Sequence, residues 1–315
     1  MASALAIPPV VLLAVVACGG SDRGQDSATE TTGELSLVAT TTVLGDITEN
    51  VACGAANVET LMSPGQDPHA FELSARQAAD LADADLVVAN GLGLEQGFLD
   101  VLLEARDTGT PVLFVGEGVD PIAYGGASDH AEEESGEQAT LDPHVWMDPL
   151  RMAEGARIIG AELARLAAGE GASLCADAYV ETLVALDTEV VTTLGAISSD
   201  SRKLVANHEA LGYFAERYGF ELVGVVIPNG STLAEPSASD IVELVDAIER
   251  ENVRAIFAES TANPNLAETV ASETGRDVEI VSLYTGSLGD EDSGAATYIE
   301  LIRTNAERIA DALTG

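Results

Sequence analysis

Asp85-Leu86-Val87-Val88-Ala89-Asn90 reads as a buried strand, an unbroken apolar run between polar ends. A helical pattern follows around Glu95 to Arg106, and Pro111-Val112-Leu113-Phe114-Val115 supplies a further strand. Upstream lie a strand at Leu35 to Thr40, a helix from about Val43 to Ala52, and a strand at Val58 to Met62. Ser74 is a good N-cap for a helix over Ala75 to Ala82. Strands alternating with helices at this spacing indicate a mostly parallel α/β layer.

The alternation stops between Gly116 and Thr140, where a polar, acidic loop carries His130, Glu132, Glu133, Glu134 and Glu137. Asp148-Pro149 then starts a helix to about Ala168, with Asp as N-cap and Pro at the first helical position. A longer helical stretch runs from Ala172 to Ser198, its apolar Leu183, Leu186, Val190 and Leu194 keeping a helical spacing. Strands are expected again at Lys203 to Ala206, Glu221 to Val226, Arg254 to Ala258 and Val278 to Leu283. Helices are expected at Ala210 to Tyr218 with Gly219 as a stop, Ser239 to Glu251, Pro264 to Thr274 and Ala295 to Leu313. The expected architecture is therefore α/β: two Rossmann-like lobes, residues 34–171 and 200–315, joined by one long rigid helix over 172–199.

One short motif occurs twice. Asp67-Pro68-His69-Ala70-Phe71-Glu72 is matched by Asp142-Pro143-His144-Val145-Trp146-Met147-Asp148-Pro149, and these hold two of only 4 histidines. Pro fixes its own φ and pushes the preceding residue toward extended backbone. Each motif is thus a stiff loop with an imidazole at its tip and a carboxylate, Asp67 or Asp142, placed to orient it. A third histidine, His208, ends the strand-to-loop stretch Lys203-Leu204-Val205-Ala206-Asn207-His208-Glu209, and Glu259 follows Arg254 to Ala258. Ligands in open α/β sheets bind beyond the carboxyl ends of strands. The candidate metal ligands are His69 and His144 from the first half and His208 and Glu259 from the second, which puts the site in the cleft between lobes. Glu259 reads equally well as an acceptor for loop amides, and His130 is read as a surface residue.

The 315-residue chain is 46% hydrophobic and 4% aromatic, with a net charge of -39. That acidity argues against nucleic acid as a partner. Residues 1–17 read as a signal peptide whose apolar run, Leu5 to Ala17, is too short to span a membrane. The run ends in Val15-Val16-Ala17-Cys18, which resembles the bacterial lipobox, although no Lys or Arg precedes it. A lipidated Cys18 and a polar tether over 18–33 are expected. Cys53 and Cys175 are free to pair in an oxidising exterior.

Taken together, His69, His144, His208 and Glu259, with the second Asp-Pro-His motif and His208-Glu209-Ala210-Leu211-Gly212-Tyr213-Phe214, resemble the zinc/manganese ABC-transporter solute-binding proteins. The resemblance covers the chain after the tether, including Tyr284-Thr285-Gly286-Ser287-Leu288-Gly289, Tyr298 and Asn305. It implies two lobes joined by one long helix and a metal held between them. It also implies an extracytoplasmic, membrane-anchored lipoprotein, a monomer, that delivers the metal to a permease with its ATPase. Many members supply a final Asp where this chain has Gly286, which leaves Glu259, a water, Asp290 or Asp292 to complete the site. Some relatives are described as adhesins, for which no residue here speaks.

A zinc-dependent hydrolase, with Glu259 as base, is the competing class. No His-Glu-x-x-His motif or nucleophile elbow is present to favour an enzyme. Imidazole-rich, low-charge coordination suits zinc better than manganese, so zinc is the expected cargo and manganese or iron(II) the runner-up. Because bound imidazoles must be deprotonated, affinity is expected to fall below about pH 6.5, the free His value.

Overall fold

Four parallel strands build the first sheet: β1 (Leu35–Ala39), β2 (Ala56–Thr60), β3 (Leu86–Ala89) and β4 (Val112–Phe114), in the order β2-β1-β3-β4. The second repeats that order with β5 (Lys203–Ala206), β6 (Glu221–Val225), β7 (Ala255–Glu259) and β8 (Glu279–Leu283), as β6-β5-β7-β8. The computed structural model describes residues 35–124, 140–168, 170–228, 230–262 and 264–314. The signal segment, Cys18, the 18–33 tether and His130 lie outside the described residues.

Helices α1 (Thr42–Ala52), α2 (Ala75–Ala82) and α3 (Leu99–Thr108) belong to the first lobe. Those of the second are α6 (Gly212–Tyr218), α7 (Ala238–Glu251) and α8 (Asn265–Glu273). Local signals explain their ends. Ser74 and Gln77 form a capping box on α2, as Ser237 and Asp240 do on α7. Gly219 stops α6 in the left-handed region at φ 69°.

Three further helices, α4 (Pro149–Leu163), α5 (Glu170–Leu194) and α9 (Tyr298–Thr314), join the lobes. A π-helical turn, Ala164–Ala168, separates α4 from α5, where the sequence pattern alone ran α4 on to Ala168. Leu183, Leu186, Val190 and Leu194 of α5 are buried in one apolar core with Ile159 of α4, Ile309 of α9, and Leu37 and Phe257 from the two sheets. Each lobe adds an outer core of its own, around Val87 and Leu102 in the first and Ile256 and Ile248 in the second.

Connector helix α5 is tied to both sides. Cys53, at the end of α1, is bonded to Cys175 of α5. On the other side, Arg217 donates to both carboxylate oxygens of Asp187 at 2.8 and 2.5 Å, and Arg303 to Glu189 at 2.7 and 2.9 Å.

Two boundaries differ from expectation for a physical reason. Strand β2 ends at Thr60, one residue before the Leu61 amide makes its last bond to the Ala39 carbonyl at 2.9 Å, and Leu61 and Met62 pack into the outer core. Helix α3 starts at Leu99 because Glu95 turns inward to serve backbone amides instead of opening the helix.

The disulfide closes a sequence separation of 122 residues, so it restricts the unfolded chain strongly. Replacing both cysteines with serine is expected to lower unfolding stability by about 2–5 kcal/mol in denaturant titrations. An unchanged midpoint would show that the bridge restrains nothing that folding must order.

Candidate metal centre

The two Asp-Pro-His loops adopt the same turn. Oδ1 of Asp67 accepts the His69 backbone N–H at 2.9 Å, and Oδ1 of Asp142 accepts that of His144 at 2.9 Å. Beyond that they diverge. The Asp142 oxygen also lies 2.7 Å from Nδ1 of the His144 ring, which makes Nδ1 the donor and leaves Nε2 with its lone pair. Asp67 orients its loop but not its imidazole: its second oxygen accepts the Thr232 hydroxyl at 2.5 Å, from the opposite lobe.

His208 sits just beyond β5, where the Asn207 amide reaches across to the Phe257 carbonyl of β7 at 3.0 Å. That is the reversal point of the second sheet. Nε2 of His144 stands 3.2 Å from Nε2 of His69 and 3.0 Å from Nε2 of His208. Ligand-capable atoms of these three residues all lie within 4.8 Å of one another, and the three are at most 2% exposed. Ring nitrogens around a zinc ion bonded at about 2.0–2.1 Å are spaced on this scale. The three buried imidazoles offer ring nitrogens to one small space, where a cation can take them as ligands.

Glu259 closes β7 and is buried. Its Oε2 lies 3.0 Å from Nδ1 of His208, and its charge also acts on His69 and His144. Gly286 explains why the carboxylate fits. A Cβ at that position would meet Oε1 of Glu259 at 2.5 Å and Cδ of Pro68 at 3.4 Å. The room that a side chain would take at 286 is thus filled by Glu259. Asp290 and Asp292, the other acids weighed for this role, are exposed.

Charge follows from this placement. Burial, then the neighbouring imidazoles His144 and His208, lowers the His69 pKa to about 3. Burial and His208 likewise depress His144. Burial also pushes His208 down, but the Glu259 carboxylate more than offsets it and the net shift is upward. Glu259 itself is lowered to about 2: burial raises it, and the charge of His208 overrides that. Burial pushes Asp142 up to about 7. Two of the three imidazoles are therefore held neutral, while the third keeps its proton past the usual range.

Contacts between lobes close the space. Trp146 Nε1 donates to the Thr285 carbonyl at 2.9 Å, the Tyr124 hydroxyl to the Gly230 carbonyl at 2.9 Å, and the Gly65 amide to Ser287 Oγ at 3.0 Å. Sequence reasoning missed Thr232, Tyr124 and Gly230. Their only signal was position, in loops at the carboxyl ends of strands.

The family model described as "Zinc-uptake complex component A periplasmic" matches residues 37–312. The manganese-binding lipoprotein MntA of Halalkalibacterium halodurans is 30% identical over 97% of this chain and 96% of its own. The iron-binding protein YfeA of Yersinia pestis is 30% identical over 91% of this chain and 88% of its own. Among solved structures, the periplasmic zinc binding protein TroA from Treponema pallidum superimposes with a TM-score of 0.80 at 29% identity, covering 90% of this chain and 100% of that one.

The charge pattern is open to direct titration. In the metal-free protein, imidazole NMR signals of His69 and His144 are expected to stay neutral down to pH 5, below the ordinary His value of about 6.5. His208 is expected to protonate above that value. Three ordinary titrations would contradict the geometry described here.

Proposed function

The chain belongs to the family of the periplasmic component A of zinc-uptake complexes, and from that premise we propose that it captures a divalent transition metal outside the cytoplasm and delivers it to an ABC permease with its ATPase. The observation that carries this reading is the convergence of three buried Nε2 atoms at 3.0 and 3.2 Å. His69, His144 and His208 ligate the ion. Glu259 lies 3.0 Å from Nδ1 of His208 and supplies the negative charge next to the site.

Zinc is the proposed cargo. Three neutral nitrogen donors form a soft, low-charge set, whereas manganese favours carboxylates and more ligands. Gly286 provides no acid, and Glu259 is engaged with His208. Zinc also accepts the four-coordinate geometry that three imidazoles and one small ligand provide. The mature protein is proposed to begin at a lipidated Cys18, with 18–33 as tether and the connector helix α5 between the lobes, which keeps a monomeric receptor at the membrane surface. Supporting this are the lipobox-like Val15-Val16-Ala17-Cys18 and the polar composition that follows.

Proton linkage revises the expectation of a threshold at the free His value. His69 and His144 already lack protons at neutral pH, so they add little pH dependence. His208, raised above 6.5 by Glu259, must lose its proton for Nδ1 and Nε2 to serve Glu259 and metal together. Affinity should begin to weaken above pH 6.5 as pH falls, with about one proton released per ion rather than three.

Calorimetry in buffers of different ionisation enthalpy measures that number. His208→Ala should lower zinc affinity by more than the roughly 10–100-fold typical of an outer partner, and Glu259→Gln by an amount within that range. In competition, zinc should displace manganese at equal concentrations. Manganese holding its own would reverse the metal assignment.

A further inference from the structure

We propose that Asn90 and Glu95 are positioning residues for the site, fixing the peptide that carries His144; the inference rests on the metal-binding reading above. Glu95 is fully buried in the loop after β3. Its carboxylate accepts from the Thr40 hydroxyl at 2.8 Å, the Asn90 amide at 2.7 Å and the Gly91 amide at 3.0 Å. Thr40 follows β1 and Asn90 follows β3, so one carboxylate gathers the carboxyl ends of the two central strands. A buried carboxylate is costly unless several donors satisfy it. Here every donor belongs to the strand ends that flank the site.

Asn90 passes this order on. Its backbone is held on both sides, the amide by Glu95 and the carbonyl by the Gly116 amide at 2.9 Å. That leaves its side-chain amide aimed by the fold, and it donates to the Pro143 carbonyl at 2.9 Å and the Gly91 carbonyl at 3.1 Å. The Pro143 carbonyl and the His144 N–H belong to one planar peptide. Asn90 grips its oxygen, and Asp142 grips its N–H at 2.9 Å. With Pro143 fixing the preceding φ, the plane that sets the His144 Cα has little freedom left.

His144 is the residue for which this matters most. Its Nε2 is the one placed near both partner imidazoles, so a tilt of its peptide disturbs both pairs at once. No comparable bond reaches the Pro68 carbonyl among the described residues, and the His69 loop is held across the cleft by Thr232 instead. His144 is thereby the fixed point of the site.

The test uses Asn90→Ala, which removes the grip on Pro143 and keeps the backbone bonds to Glu95, together with Glu95→Gln. Leu102→Ala, a buried residue of α3 outside the hydrogen bonds described above, serves as a destabilised control. Zinc affinity and the visible ligand-field bands of bound cobalt(II) are read beside the melting of the metal-free protein. Both variants are expected to lose about 10–100-fold in zinc affinity and to shift the cobalt bands. The control should melt earlier with affinity and bands unchanged. Should Glu95→Gln fail to fold, Asn90→Ala decides alone. Wild-type affinity and cobalt bands in Asn90→Ala, whatever its melting temperature, would overturn the inference. A wild-type protein that took up neither zinc nor cobalt would instead overturn the metal reading.

Discussion

The contact between Asp142 and Nδ1 of His144, 2.7 Å long and buried, determines much of what surrounds it. It commits that ring to presenting Nε2, and burial keeps the ring neutral. Two further Nε2 atoms then meet it in a space closed to water. Burying three imidazoles this close, two of them neutral and His208 with its pKa raised, is costly for their polar atoms. The fold holds them there regardless, because each sits on a loop fixed by its own strand end. Binding a cation is the event that turns this arrangement from a cost into a gain.

The lobes bear on that event through two kinds of joint. At the back, α5 and α9 share one core with both sheets, and the Cys53–Cys175 bond, Asp187–Arg217 and Glu189–Arg303 pin the connector. At the site, the joints are single hydrogen bonds such as Thr232 to Asp67 and Tyr124 to Gly230. Opening for the ion has to break the second kind and leave the first intact. A connector packed along its length permits less hinge motion than a loose crossing would, so loop movement around Asp67, Tyr124 and Gly230 is the least costly route.

Much of the fold was legible in the sequence because parallel strands covered on both faces appear as unbroken apolar runs, as at Leu86 to Ala89. Helix ends marked by Ser74, Pro149 and Gly219 were equally plain, since each residue acts through its own backbone or side chain. The three histidines stood out through rarity and a repeated motif. Glu95 did not: in Asn90-Gly91-Leu92-Gly93-Leu94-Glu95 an acid before an apolar run looks like a helix start, and only three-dimensional packing turns it inward. The partnership of Glu259 with the space at Gly286 was hidden for the same reason, because it joins residues from different strands.

The central claim is that three imidazoles, from Asp-Pro-His loops and a strand end, form the ligand set. X-ray absorption at the zinc K-edge of the protein loaded with one equivalent of metal counts those ligands directly. The account predicts a four-coordinate shell at about 2.0–2.1 Å, with outer-shell imidazole scattering from three rings that falls to two in His69→Ala. A shell dominated by oxygen, with scattering from fewer than three rings in the wild-type protein, would contradict it.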